Sequence, residues 1–205
     1  MPLRKKKPED LAAKKALALE VIRRLKAEYP DAGCTLDYDH AWQLLVSVRL
    51  AAQCTDARVN IVVEELFAKY PSVAALAAAE PEDIEAIVKP CGLGHSKARD
   101  ISACMRMLRD KYDCRVPNTF EELLALPGVG RKSANLIMGD VFGKPAIVTD
   151  THCIRLCNKI GLVDGIKEPQ KVEMALWKII PPEEGSDLCH RFVMHGRAVC
   201  NARKP

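Results

Sequence analysis

Apolar residues recur at three- and four-residue spacing along almost the whole chain, and the strict alternation of a half-buried strand is hard to find. That period predicts an all-α protein. The first helix is expected over 9–29, between Pro8 and Pro30. The segment HAWQLLVSVRLAAQ, 40–53, is apolar nearly all round, which predicts a central buried helix. DARVNIVVEELFAKY follows with Thr55 as N-cap, and two short helices are opened by Ser72 and by Pro81. In HSKARDISACMRMLRDKY, the residues Ala98, Ile101, Met105, Leu108 and Tyr112 form one apolar stripe. Thr119 and Glu122 have capping-box spacing ahead of LLAL. Further helices fit 131–142, 151–160 closed by Gly161, 169–179 and 186–199.

Composition narrows this picture. A chain of 205 residues with 48% hydrophobic content can bury a real core, in one large domain or two smaller ones. The formal charge is only +4, so any site for a polyanion must come from local clustering of cations. Charge interrupts every apolar stretch before the roughly eighteen residues that a membrane span needs, and the start, MPLRKKKPED, lacks the apolar region of a signal peptide. A soluble, cytoplasmic protein without membrane attachment is expected, associated with the nucleoid if the source is bacterial. The basic run Arg4 to Lys7 reads as a disordered tail weakly attracted to phosphate. Nine cysteines are scattered over helical apolar positions without a CxxC pair, which points to reduced thiols. Cys153 and Cys157 lie four apart on one helix face; that spacing could share a metal, but two small buried hydrophobes are the ordinary case.

The chemistry concentrates in LPGVGRKSANLI, 126–137. Arg131 and Lys132 stand side by side at a helix start, where the macrodipole is already positive. Such placement suits an anionic ligand, or a lysine meant to lose its proton. Gly128 and Gly130 flank Val129 in a turn whose backbone amides, with those of the helix start, can approach a phosphate. GLGHSKA, 92–98, echoes GVGRKSA, 128–134, as a second glycine turn opening a helix. In the echo Lys97 falls one position later, about 100° round the helix, and is not expected to react.

The order helix, Pro-Gly-Val-Gly hairpin, helix, then VTDTH resembles the helix-hairpin-helix DNA glycosylase superfamily, and within it the endonuclease III branch. AAQCTD (51–56), GLGHSKA, LPGVGRKSAN, VTDTH (148–152) and HGRAVCNARKP (195–205) stand in the family's order and approximate spacing. The resemblance implies a two-lobed all-α fold with a DNA-binding cleft between the lobes. A central lobe would span 34–146 and carry the hairpin, and a second would combine 1–33 with 147–205, lacking most of the C-terminal iron-sulfur loop.

The implied activity is that of a base-excision repair glycosylase with AP lyase activity. It removes oxidised pyrimidines from double-stranded DNA through a lysine Schiff base and β-elimination, and acts as a monomer. Lys132 matches the nucleophile. A free lysine, with a pKa of about 10.4, is neutral only about once in two and a half thousand molecules at pH 7, and Arg131 and the helix start both favour the neutral amine. Lys132 also argues against the monofunctional adenine-removing branch. Asp150 matches the carboxylate that stabilises positive charge at C1′, and its place before Thr151 equally suits an N-cap. His152 reads as a packing or capping residue. Gln53 resembles the residue that fills the gap left by a flipped base. Leu93 resembles the apolar wedge from the opposite loop, with a buried turn residue as the alternative. Asp56 resembles a residue lining the damage pocket. Gly128, Val129, Gly130 and Arg131 would meet DNA phosphate.

The family also holds a [4Fe-4S] cluster on four cysteines, the first in HGRxxC. Cys200 matches that ligand, the other three have no counterpart in this sequence, and no cluster is expected to be built from this chain. A rival reading follows from that departure: a non-catalytic helix-hairpin-helix DNA-binding protein, disabled by loss of the cluster region.

Overall fold

A computed structural model describes residues 11–202 and shows no strand among them. The described residues fall into two compact units, Cys34–Lys144 and the combination of residues up to Gly33 with those from Pro145 onward. The basic run Arg4 to Lys7 lies outside the described residues.

The unit Cys34–Lys144 contains α2 (Ala41–Leu50), α3 (Asp56–Lys69), α4 (Val73–Ala78), α5 (Pro81–Val88), a short 3-10 turn (Lys89–Cys91), α6 (Gly94–Lys111), α7 (Phe120–Ala125) and α8 (Arg131–Asp140). The start signals act as the residue types predict. Thr55, Ser72 and Thr119 accept from the backbone N–H of Arg58, Ala75 and Glu122, and Pro81 occupies the first turn of α5. The Thr119 hydroxyl also donates to Glu122 Oε2 at 2.6 Å.

Helix α2 is the centre of this unit, as its all-round apolar sequence predicts. Trp42, Leu44, Leu45, Val46 and Leu50 are buried, with α3, α6 and α8 packed around them. Trp42 meets Phe67 edge to face at 5.1 Å. The buried amide of Gln43 is satisfied locally, its Oε1 accepting from the backbone N–H of Asp39 and His40 at 2.7 and 2.8 Å.

The expectation of one helix over 40–53 is corrected here: α2 ends at Leu50. Gln53 adopts φ 57°, a left-handed conformation that cannot continue a right-handed helix.

The other unit contains α1 (Leu11–Glu28), α9 (Thr151–Ile160), α10 (Pro169–Leu176), a 3-10 turn (Pro182–Glu184) and α11 (Gly185–Ala198). α11 packs on α9 and α1. Gly161 ends α9 with φ 91°. Cys153 and Cys157 lie in the interior, sulfurs 3.9 Å apart, and Cys153 also bonds Cys189, which accepts from the Val148 N–H at 3.2 Å. The bond to Cys157 and burial hold the Cys153 thiol well above the usual value, and the bond to Cys153 and burial do the same for Cys189. These are protonated core thiols, and no group of three or more His, Cys, Asp or Glu among the described residues is arranged to hold a metal ion. Burial likewise pushes Cys34 and Cys104, in the hairpin unit, up to about 12. All nine cysteines are free.

Candidate active site

The hairpin between α7 and α8 uses its two glycines differently. Gly128 has φ 75°, and a Cβ there would lie 2.8 Å from Asp100 Cβ and 3.1 Å from Arg49 Cδ. Gly130 is the extended N-cap of α8, φ −99° and ψ 177°, with nothing within 4 Å of a built Cβ. Gly128 is therefore required by the protein itself, while the space beside Gly130 is open to a ligand. Arg49 holds the Gly128 contact in place, donating to Asp100 Oδ2 at 2.7 Å and to Ser96 Oγ at 3.1 Å. No motif in the sequence marks this Arg49–Asp100 pair. The one signal for it is that Arg49 is the only formally charged residue in HAWQLLVSVRLAAQ.

Gly128→Ala should destabilise the fold by about 1–3 kcal/mol, from the left-handed backbone and the clash. Gly130→Ala should cost no more than about 1 kcal/mol, the loss of a glycine N-cap, but should weaken DNA binding more, because the approach of a ligand is obstructed. Melting curves beside binding titrations check both; equal losses of stability would refute the division of roles.

Lys132 is exposed at the second position of α8, and Arg131 before it lays its guanidinium 4.9 Å from the centroid of the Phe120 ring. The first amides of α8 have no partner within the helix. Lys97, in the echo loop, behaves oppositely. It is wholly buried, and its ammonium donates to Leu50 O at 2.7 Å and Cys91 O at 2.9 Å. Burial pushes it below the usual lysine value. α6 starts at Gly94, one residue earlier relative to the glycine turn than α8 does, so Lys97 is the fourth helical residue and faces inward.

The echo loop presents Leu93 at φ 53°, 57% exposed, which removes the reading of Leu93 as a buried turn residue. Gln53 is also exposed and left-handed. Two non-glycine residues with positive φ thus stand at the tips of the two loops that the resemblance assigns to base displacement. Asp56 opens α3 half-buried, its Oδ2 accepting from the Thr35 hydroxyl at 2.5 Å, so its carboxylate is held by the chain.

In the other unit Asp150 caps α9, Oδ1 accepting from the Cys153 N–H at 2.7 Å. Its side chain is half-buried. His152 packs against α11: a Cβ on Gly196 would run into the His152 ring, so the glycine of HGR is required by this contact. Arg155 donates to Cys200 O at 2.6 Å and to Gly196 O at 3.4 Å, fixing the end of α11. Cys200 is half-buried there. The described residues do not assemble a ligand set for a [4Fe-4S] cluster around it.

The fold and the hairpin define a class. The family model for HhH-GPD superfamily base excision DNA repair proteins matches residues 46–182, and the chain belongs to that family. Within it, the chain is 43% identical over 196 residues to endonuclease III of Synechocystis sp., covering 95% of this chain and 89% of that protein. It is 38% identical over 191 residues to endonuclease III of Escherichia coli K12, covering 93% and 90%. A solved non-covalent endonuclease III–DNA complex superposes with TM-score 0.89 at 40% identity, covering 93% of this chain and 89% of that one. A trapped endonuclease III–DNA covalent intermediate does so with the same score and identity. A thermostable thymine-DNA glycosylase, at 21% identity and TM-score 0.81, shares the fold.

Proposed function

We propose that the protein is a base-excision DNA glycosylase with AP lyase activity, acting on oxidised pyrimidines in double-stranded DNA. The observation that carries this reading is Lys132: an exposed amine at a helix start immediately after the glycine hairpin, in a family whose solved relatives include a trapped covalent endonuclease III–DNA intermediate. The amine attacks C1′ as the bond to the damaged base breaks and the base leaves. Ring opening gives a protonated Schiff base, which acidifies the C2′ hydrogen. Loss of that proton expels the 3′ phosphate by β-elimination, and water then releases the lysine. Asp150 stabilises the positive charge that develops at C1′. The hairpin amides and Arg131 hold the backbone phosphate, and Asp56 lines the base pocket.

Borohydride in the presence of abasic duplex DNA reduces the Schiff base to a stable adduct, and wild-type protein should form one. Failure to trap, with DNA binding retained, would favour the non-catalytic hairpin reading instead. Binding itself should weaken steeply with salt and vary little with sequence, because phosphates are its main contacts. A flat salt titration would count against the DNA reading as a whole.

A further inference from the structure

Lys97 stands outside the chemistry just described, yet it is the most deeply buried cation in the hairpin unit. Its ammonium needs compensation for the water it has lost, and finds it in two carbonyls. Leu50 O ends α2, and Cys91 O ends the 3-10 turn; at both places the helix leaves carbonyls without internal donors, and the α2 terminus is the negative end of its dipole. The two acceptors come from segments 47 and 6 residues away in sequence. Leu50 lies three residues before Gln53, and Cys91 two before Leu93. The Cys54 and Cys91 thiols hydrogen-bond beside this junction, adding a second link between the same loops. Each tip residue is held at positive φ, 57° for Gln53 and 53° for Leu93, a conformation that persists only where surrounding structure enforces it.

We propose that Lys97 is a positioning residue: by binding the Leu50 and Cys91 carbonyls at once, it sets the spacing of Gln53 and Leu93 so that both side chains enter the duplex together when the target base leaves the stack. The inference rests on the reading of these two residues as inserting groups. It makes Lys97 necessary for work on a duplex, where a gap must be filled, and not for Schiff-base formation itself. Inserted side chains recover part of the unstacking cost only if they arrive in register with the gap.

The test compares borohydride trapping rates for one abasic site in a duplex and in a single strand, with wild-type protein and Lys97→Gln. Lys97→Gln should slow the duplex reaction by roughly tenfold to a hundredfold, as a displacement of about 1 Å does elsewhere, while the single-strand reaction stays within about twofold. Lys97→Arg, which keeps a charged donor, should restore part of the duplex rate; it also provides the comparison if Lys97→Gln does not fold. Equal losses on both substrates, or no loss on either, would overturn the positioning role. Absence of trapping by wild-type protein on both substrates would instead overturn the glycosylase/lyase reading.

Discussion

Lys132→Gln should abolish the borohydride-trapped adduct with abasic DNA and lower strand cleavage by about a thousandfold or more, the scale of loss when a covalent nucleophile is removed. Glutamine keeps the length and polarity of the side chain but has no amine to attack C1′. Because Lys132 is exposed near the start of α8, stability should change by less than about 0.5 kcal/mol. DNA affinity should fall only by the share of one phosphate-facing charge. Trapping at the wild-type rate in this variant would mean that another amine is the nucleophile. Lys97 is a poor candidate for that role, since its ammonium is enclosed and bonded to two carbonyls.

The second large effect is expected at Asp150, which the sequence offers both as a cap and as a catalytic carboxylate. The carboxylate caps α9 through the Cys153 N–H. Asparagine caps a helix about as well as aspartate, whereas alanine costs about 1 kcal/mol. Asp150→Asn should therefore melt with wild type while base release slows by about a hundredfold to a thousandfold, because the charge that stabilises the transition state is gone. Ground-state DNA binding should be largely spared. Asp150→Ala should show the same slow chemistry and a lower melting temperature. Single-turnover base release from a duplex containing an oxidised pyrimidine, run beside thermal melts, decides the matter. An Asp150→Asn enzyme with wild-type rate would reduce Asp150 to a cap.

Much of the fold was legible because its signals are local. The 3.6-residue period, Thr55, Ser72 and Thr119 as caps, Pro81 at a helix start and Gly161 at a helix end all act within about one turn of the residue that carries them. The all-round apolar character of 40–53 predicted a central helix, and α2 is central. Its end was misread because Gln53, not a glycine, takes the left-handed turn. Nothing in AAQCTD announces that conformation, since the lysine that holds Leu50 O lies 47 residues further on. The candidate nucleophile, the capping carboxylate and the two loop residues were named from motifs; which of two similar glycines packs against protein and which faces open space was not.

What the sequence by itself determined is the helical architecture and the glycine hairpin with Lys132 at its helix start, because each depends on residues within a few positions of one another; it left Asp150 open between a cap and a catalytic carboxylate. The tertiary structure decided the rest. It turned Lys97 inward, placed Arg49 and Asp100 against Gly128, set Leu93 in solvent and gathered Cys153, Cys157 and Cys189 in one core. The physical reason is separation along the chain: the Arg49–Asp100 bond joins residues 51 apart, and such a pair becomes visible only once packing has brought two helices to hydrogen-bonding distance.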